Sequence, residues 1–394
     1  MTGGQLTATA AKEAAAEVVD RNLDRLVSLS HAIHDQPELC FAETVAAALV
    51  AETLRDGGLE VDEGVYDLPT ALESRSGDGE LVVAVCAEYD ALPDIGHACG
   101  HNVIAALAVG AGLAAARVAD EVGLTVSVFG TPAEESGGGK IVLLERGAFD
   151  GVHAALMAHP APVDVLEPPT LAFAEFEAHY HGKASHASAA PELGVNAGDA
   201  LVVAQAAIGL MRQHIRPTDR VHGIVTRGGE APNVVPAHTS ARYYVRASTL
   251  DDLGDIRGKV LRCFEAGAIA TGCTLRIDDS ARPYADVWHD GALAALYQAN
   301  AEALGRRFVR PRPEFSRFAA STDMGNVSHA LPSIHPMIGL SSLPAVNHQP
   351  EFAAHCITPL ADRALMDGAL ALAWTAIDMA ADDAIAARLR AARA

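Results

Sequence analysis

The chain has 394 residues, in which 50 Asp and Glu outweigh 29 Lys and Arg for a formal charge of −21, and 50% of it is apolar. A surface this acidic repels nucleic acid and anionic membranes, whose binders carry basic patches that release counterions, so neither is expected as a partner. The length allows two or three domains with substantial cores, and the apolar content excludes disorder.

The longest apolar run, Val103 to Ala116, carries two glycines and is shorter than the ~18–20 residues a bilayer span needs, so it reads as a buried helix. The N-terminal stretch has no basic segment before an apolar core, and the expected compartment is the cytoplasm. Cys40, Cys86, Cys99, Cys263, Cys273 and Cys356 form no CxxC pairs and read mostly as buried thiols.

In chain order, Ala, Val and Leu recurring every three or four positions predict a helix over Ala11–Leu29, and a second is expected over Glu43–Leu54. Leu81–Cys86 and Leu124–Phe129 read as strands with a helix, Asn102–Val118, between them, which suggests an α/β sheet covered on both faces. From Ala172 to Tyr180 the alternation is strict and predicts a half-buried antiparallel strand. Helical spacing from Ala197 to Met211, strands at Val221–Thr226 and Ser240–Arg246, a helix over Leu250–Ala268 and a strand near Cys273–Ile277 follow. That β-α-β-β-α-β order is ferredoxin-like. A helix near Ala292–Leu304, one strand over Ser333–Leu340 and a closing helix over Leu360–Met379 complete the chain. The expected plan is an α/β domain from residues 1–168 and 285–394, interrupted by an α+β domain over 169–284.

Chemistry-bearing residues fall at the ends of predicted strands, the edge where open α/β sheets bind ligands. Cys99 and His101, two apart in a Gly-containing loop, suit one borderline cation. Glu134 and Glu135, beside Gly137-Gly138-Gly139, allow one carboxylate to coordinate and the other to move a proton. Taken singly, His159 beside Pro160 reads as a capping or surface residue and the Glu pair as a solvated helix start. Competing motifs fail: Gly137-Gly138-Gly139-Lys140 lacks the Ser or Thr of a phosphate loop, and the chain has neither H-E-x-x-H nor G-x-S-x-G.

Glu88-Tyr89-Asp90-Ala91-Leu92-Pro93, His97-Ala98-Cys99-Gly100-His101-Asn102, Glu134-Glu135, Met157-Ala158-His159-Pro160, Ser185-His186, Pro232-Asn233-Val234-Val235-Pro236, Ser321-Thr322-Asp323-Met324-Gly325-Asn326 and Asn347-His348-Gln349-Pro350 occur in this order. Together they resemble the dinuclear-metal amidohydrolases of metallopeptidase family twenty, over nearly the whole chain. Glu88 and Asn102, where many hippurate-type members have Asp, look more like the branch of β-alanyl dipeptidases and p-aminobenzoyl-glutamate hydrolase subunits.

The resemblance implies a zinc-peptidase-like catalytic domain with an inserted lid that also dimerises. It makes Cys99, His101, Glu135, His159 and His348 the ligands of two divalent ions, zinc first, with manganese or cobalt as alternatives. Glu134 becomes the general base and Asp90 the carboxylate that orients a ligand. His186 becomes the oxyanion-stabilising histidine that reaches a partner's site, and Asn233 and Arg246 hold the substrate carboxylate. His181 and His222 are left without a role. The implied activity is hydrolysis of a small N-acyl or aminoacyl amino acid by a homodimer. The alternatives are one half of a heteromeric p-aminobenzoyl-glutamate-type hydrolase, or a catalytically silent binding protein, against which the complete set of base and ligand positions speaks.

Overall fold

The computed structural model describes residues 6–279, 282–310 and 320–392. They form two compact units: one from the chain up to Pro169 with residues from Val287 and from Thr322 onward, the other from Thr170–Asp286 with Ala320 and Ser321.

The first unit opens with helices α1 (Ala8–Asp35) and α2 (Thr44–Asp56). Thr7 caps α1 by accepting a hydrogen bond from Ala10 N at 3.3 Å, which satisfies a donor that the first turn leaves open. Strands β1 (Asp62–Glu63), β2 (Leu72–Ser76) and β3 (Leu81–Glu88) follow, then α3 (His101–Ala116), α4 (Ala119–Val122), β4 (Leu124–Thr131), α5 (Gly139–Glu145), β5 (Ala154–Leu156) and β6 (His159–Ala161).

The second unit supplies β7 (Ala172–His181), α6 (Ala197–Met211), β8 (Arg220–Arg227), β9 (His238–Ala247), α7 (Leu250–Thr271) and β10 (Thr274–Asp278). The chain returns to the first unit with α8 (Gly291–Ala303), α9 (Met324–Ala330), β11 (Ser333–Ile334), β12 (Met337–Gly339), α10 (Pro350–His355), α11 (Pro359–Ala381) and α12 (Asp383–Ala391).

The main sheet of the first unit has the order β1-β2-β4-β3-β5-β11. β4, β3, β5 and β11 are parallel, whereas β2 runs antiparallel to β4. Parallel strands end on one edge, so the segments after Glu88, Thr131 and Leu156 all emerge there. Every residue of β3 and β4 is buried, which explains why Leu81–Cys86 reads as a continuous apolar run. α3 is buried along its length except at Ala116, the result of an apolar sequence on all faces.

Some elements differ from the sequence expectation. The apolar stretch expected as one strand over Ser333–Leu340 is two, because Pro336 lacks the N–H a continuous ladder needs. Its halves join different partners, β11 pairing with β5 and β12 with β6. The Leu72–Ser76 strand escaped notice because its sequence, LESRS, is mostly polar.

The 23-residue α11 is long and apolar enough to cross a bilayer, but 72% of its most apolar window is buried inside the protein. It is a core helix.

In the second unit the antiparallel order is β10-β7-β9-β8, with element order β-α-β-β-α-β, the ferredoxin-like arrangement. β7 alternates buried and half-buried as its sequence alternates. Phe176, Tyr180, Tyr243 and Phe264 fill the space between sheet and helices.

Candidate metal centre

The site gathers at the sheet edge of the first unit. Gly100 stands at φ +82°, and a Cβ there would meet Pro160 Cβ at 2.8 Å, so only glycine lets the chain turn tightly from Cys99 into α3. His101 is the first residue of that helix. Its Nδ1 lies 3.0 Å from Asp90 Oδ1, while Asp90 Oδ2 accepts a hydrogen bond from Glu135 N at 2.9 Å. One buried carboxylate therefore fixes both a histidine ring and the loop that carries Glu134 and Glu135, as the partners of metal-bound imidazoles usually do.

Cys99 Sγ is 3.5 Å from His159 Nε2 and 3.4 Å from His348 Nε2. His159 Nδ1 donates to Pro160 O at 2.8 Å, which leaves the lone pair of Nε2 facing the thiol. His348 sits at φ +66°, and its backbone N donates to Ala98 O at 2.8 Å, which ties its loop to the Cys99 loop. Glu135 Oε1 lies 3.7 Å from His348 Nε2 and 3.8 Å from His101 Nε2. Glu134 Oε2 is 3.8 Å from the same His101 nitrogen.

Three sets of side chains bring candidate donor atoms within 4.8 Å of one another: Cys99–His101–His159, Cys99–Glu135–His348 and Glu88–His101–Glu134. The first two share Cys99. Their thiol, imidazole and carboxylate donors are those of a borderline divalent cation.

The electrostatics test the same fit. His101 Nε2 and Glu135 Oε1 are buried without a hydrogen-bond partner among the described residues. Burial, reinforced by Glu88 and Glu135, pushes the Glu134 carboxyl well above the usual range. Burial and then Glu135 likewise push up the Cys99 thiol. Burial lowers His159 to about 3, with His101 adding to the effect, so that ring is neutral. Burial alone would lower His101 too, but Asp90 and Glu88 raise it well above its ordinary value. The pocket thus favours positive charge where its donors converge, and the residues present fit divalent ions.

The second unit carries the remaining sequence candidates. His186 is exposed, and its Nδ1 accepts from Ser188 N and Ala189 N at 3.3 and 3.2 Å, which leaves Nε2 outward. Asn233 adjoins it, its carbonyl accepting from Ala187 N at 3.0 Å. Arg246, on β9, donates to Ser321 Oγ at 3.0 Å and lies 4.9 Å from the centre of the Phe173 ring. Among the described residues no carboxylate pairs with its guanidinium. His222 packs on Tyr244, and His181 stacks on His238.

Two sets of interactions at the centre escape a reading of the sequence. Glu43, at the start of α2, accepts from Ala133 N at 2.8 Å and so braces the loop before Glu134. Lys140 and Asp323 form a buried ion cluster with Glu88. Their partners are far away in sequence, so no local pattern announces them.

Residues 84–365 match the description Peptidase family M20/M25/M40. The Xaa-Arg dipeptidase of Mus musculus is 38% identical over 382 residues, covering 93% of this chain and 88% of that protein. One of the p-aminobenzoyl-glutamate hydrolase subunits of Escherichia coli K12 is 32% identical over 291 residues, covering 68% of this chain and 60% of that protein. Among solved structures, a putative aminohydrolase from methicillin-resistant Staphylococcus aureus superposes with TM-score 0.76 at 20% identity, over 93% of this chain and 99% of that one. A Bacillus subtilis dinuclear metal binding peptidase of the M20 family superposes with TM-score 0.69 at 21% identity, over 91% and 99%. These two show the shared fold. With the family's pattern running from strand β3 into helix α11 and around every donor of the cluster, the chain belongs to Peptidase family M20/M25/M40 and is a hydrolase acting on amide bonds.

Proposed function

We propose that the chain cleaves the amide bond of a small aminoacyl or N-acyl amino acid with a free carboxylate, at a centre of two divalent ions held by Cys99, His101, Glu135, His159 and His348. One observation carries the reading: two donor groups share Cys99, and a further buried carboxylate, Glu134, stands beside them. Zinc suits the thiolate and imidazole donors best, and manganese or cobalt are alternatives.

Bound ions supply the acidification of a water and the polarisation of the scissile carbonyl. Glu134 takes the proton of the attacking water on its carboxylate and delivers it to the nitrogen of the departing amine. Asp90 holds His101 and the Glu135 backbone in place throughout. Arg246, with Asn233, receives the substrate carboxylate, for which a planar guanidinium without a carboxylate partner among the described residues is suited. His186, with Nε2 free to donate, stabilises the oxyanion that develops on the substrate carbonyl in the active site of a second copy. A homodimer is therefore part of the reading. β8 supports it as an edge strand with Ile224 and Val225 exposed, as does α6 with Val202 and Leu210 exposed. All six cysteines are free thiols, which fits the reducing cytoplasm proposed as its compartment.

The Mus musculus relative directs the substrate toward dipeptides ending in arginine. The Escherichia coli relative favours a second reading, an aminobenzoyl-glutamate-type substrate cleaved by a heteromer. The test is amine release from aminoacyl-arginine dipeptides, β-alanyl dipeptides, aminobenzoyl-glutamate and N-acetyl amino acids, before and after chelation. The expected result is turnover of the aminoacyl-arginine substrates that chelator abolishes and divalent ion restores. Turnover indifferent to chelation contradicts the metal reading, and cleavage of aminobenzoyl-glutamate alone favours the second substrate.

A further inference from the structure

Beside the five donors lies a buried charge cluster that the mechanism above does not use. The side chains of Glu88, Lys140 and Asp323 are fully buried. Lys140 Nζ is hydrogen-bonded to Glu88 Oε1 and, at 2.7 Å, to Asp323 Oδ1, while Asp323 Oδ2 accepts from the Lys140 backbone N at 2.8 Å. A buried ammonium needs such pairing, and here it joins the end of β3, the start of α5 and the cap of α9.

The clamp engages one oxygen of Glu88. The other, Oε2, is buried with no hydrogen-bond partner among the described residues and lies 3.5 Å from His101 Nε2, which has none among them either. Because His101 Nδ1 is held by Asp90, Nε2 is the nitrogen left for a cation. The 3.5 Å separation matches those between Cys99 and His159 (3.5 Å) and between Cys99 and His348 (3.4 Å). Donors about 2.0–2.3 Å from one ion stand roughly 3–4 Å apart. Glu88 also falls with His101 and Glu134 in one of the three donor groups.

We propose that Glu88 Oε2 is a further donor of the metal pocket, on the ion that His101 holds, and that Lys140 and Asp323 are positioning residues that aim it. The inference rests on the dinuclear reading above. Lys140 fixes Oε1, so Oε2 is presented to the pocket without a rotamer search, and the clamp neutralises one of the several carboxylates crowded around His101.

The experiment titrates chelator-stripped wild type, Glu88→Gln and Glu88→Asp with Zn²⁺ against a chromophoric competitor, and records the visible spectrum with Co²⁺. Circular dichroism reports folding. Wild type should bind two ions. Glu88→Gln keeps an acceptor for Lys140 but weakens as a donor, and Glu88→Asp keeps the charge but withdraws it by one methylene. Each should lower the affinity of one ion by roughly 10- to 100-fold, leave the other unchanged, and alter the cobalt spectrum. If Glu88→Gln does not fold, Glu88→Asp, which retains the charge, decides alone. Wild-type affinity for both ions in folded Glu88→Asp overturns the proposal while leaving the dinuclear centre intact. Wild type that binds no divalent ion overturns both.

Discussion

Glu43 shows how a single residue far from the donors in sequence supports the centre. In sequence it merely opens the second helix, yet its Oε1 accepts from Phe41 N and Ala133 N at 2.9 and 2.8 Å, and Oε2 from Thr70 Oγ1 at 3.1 Å. Burial, with Asp90 contributing after it, raises its carboxyl to about 7. Between pH 4.5 and 7 the folded chain therefore holds a proton that the unfolded chain has released. Stability falls as pH rises through that window, by on the order of 3 kcal/mol. Glu43→Gln keeps the acceptor oxygen and removes the titration. In chelator-treated protein, urea midpoints measured from about pH 4.5 to about pH 8 should decline less for Glu43→Gln than for wild type, and parallel profiles would refute this role. Cys99, His101, Glu134, Glu135, His159 and His348, which the structure brings together, each lie in a short motif that local sequence can single out. The pairing of Glu88, Lys140 and Asp323 was not legible there, since Lys140 finds its partners 52 and 183 positions away.

Among the elements, β3, β4, α3 and β7 were legible because burial on both faces, or on one, writes itself as a continuous or alternating apolar pattern. α5 was not. Seven residues beginning Gly-Lys carry too little periodicity, and what fixes its start is long-range: the Lys140 clamp and the packing of Gly139. A Cβ on Gly139 would come within 1.8 Å of Pro132 O, the backbone at the other end of the Glu134-Glu135 turn. Gly139→Ala must push that turn away from the donors. It should cost about 1–3 kcal/mol in a denaturant titration and lower turnover with it. An alanine variant with wild-type midpoint and activity would show that the turn is not anchored there. The Ser333–Leu340 stretch teaches a similar lesson, because its apolar content was legible but the break at Pro336 decided which sheet each half joined.

Across the whole molecule, the charge of −21 sets the centre a local problem. Glu88, Asp90, Glu134 and Glu135 converge on one edge of a sheet, with Lys140 and His101 as the cationic groups among them. Such a concentration of buried carboxylates suits cations as occupants. The change of pattern near Pro168 and Pro169 marks the division into two units, whereas the distances of Glu134 and Glu135 from His101 and His348 come only from the fold. On this mechanism Glu134 moves the proton and does not hold the ions. That division of labour is tested by Glu134→Gln assayed in parallel for bound divalent ion and for amine release from an aminoacyl-arginine dipeptide. Wild-type metal content with turnover reduced by about 10²-fold or more is the expected result. Turnover near wild type, or loss of both ions together with activity, would contradict it.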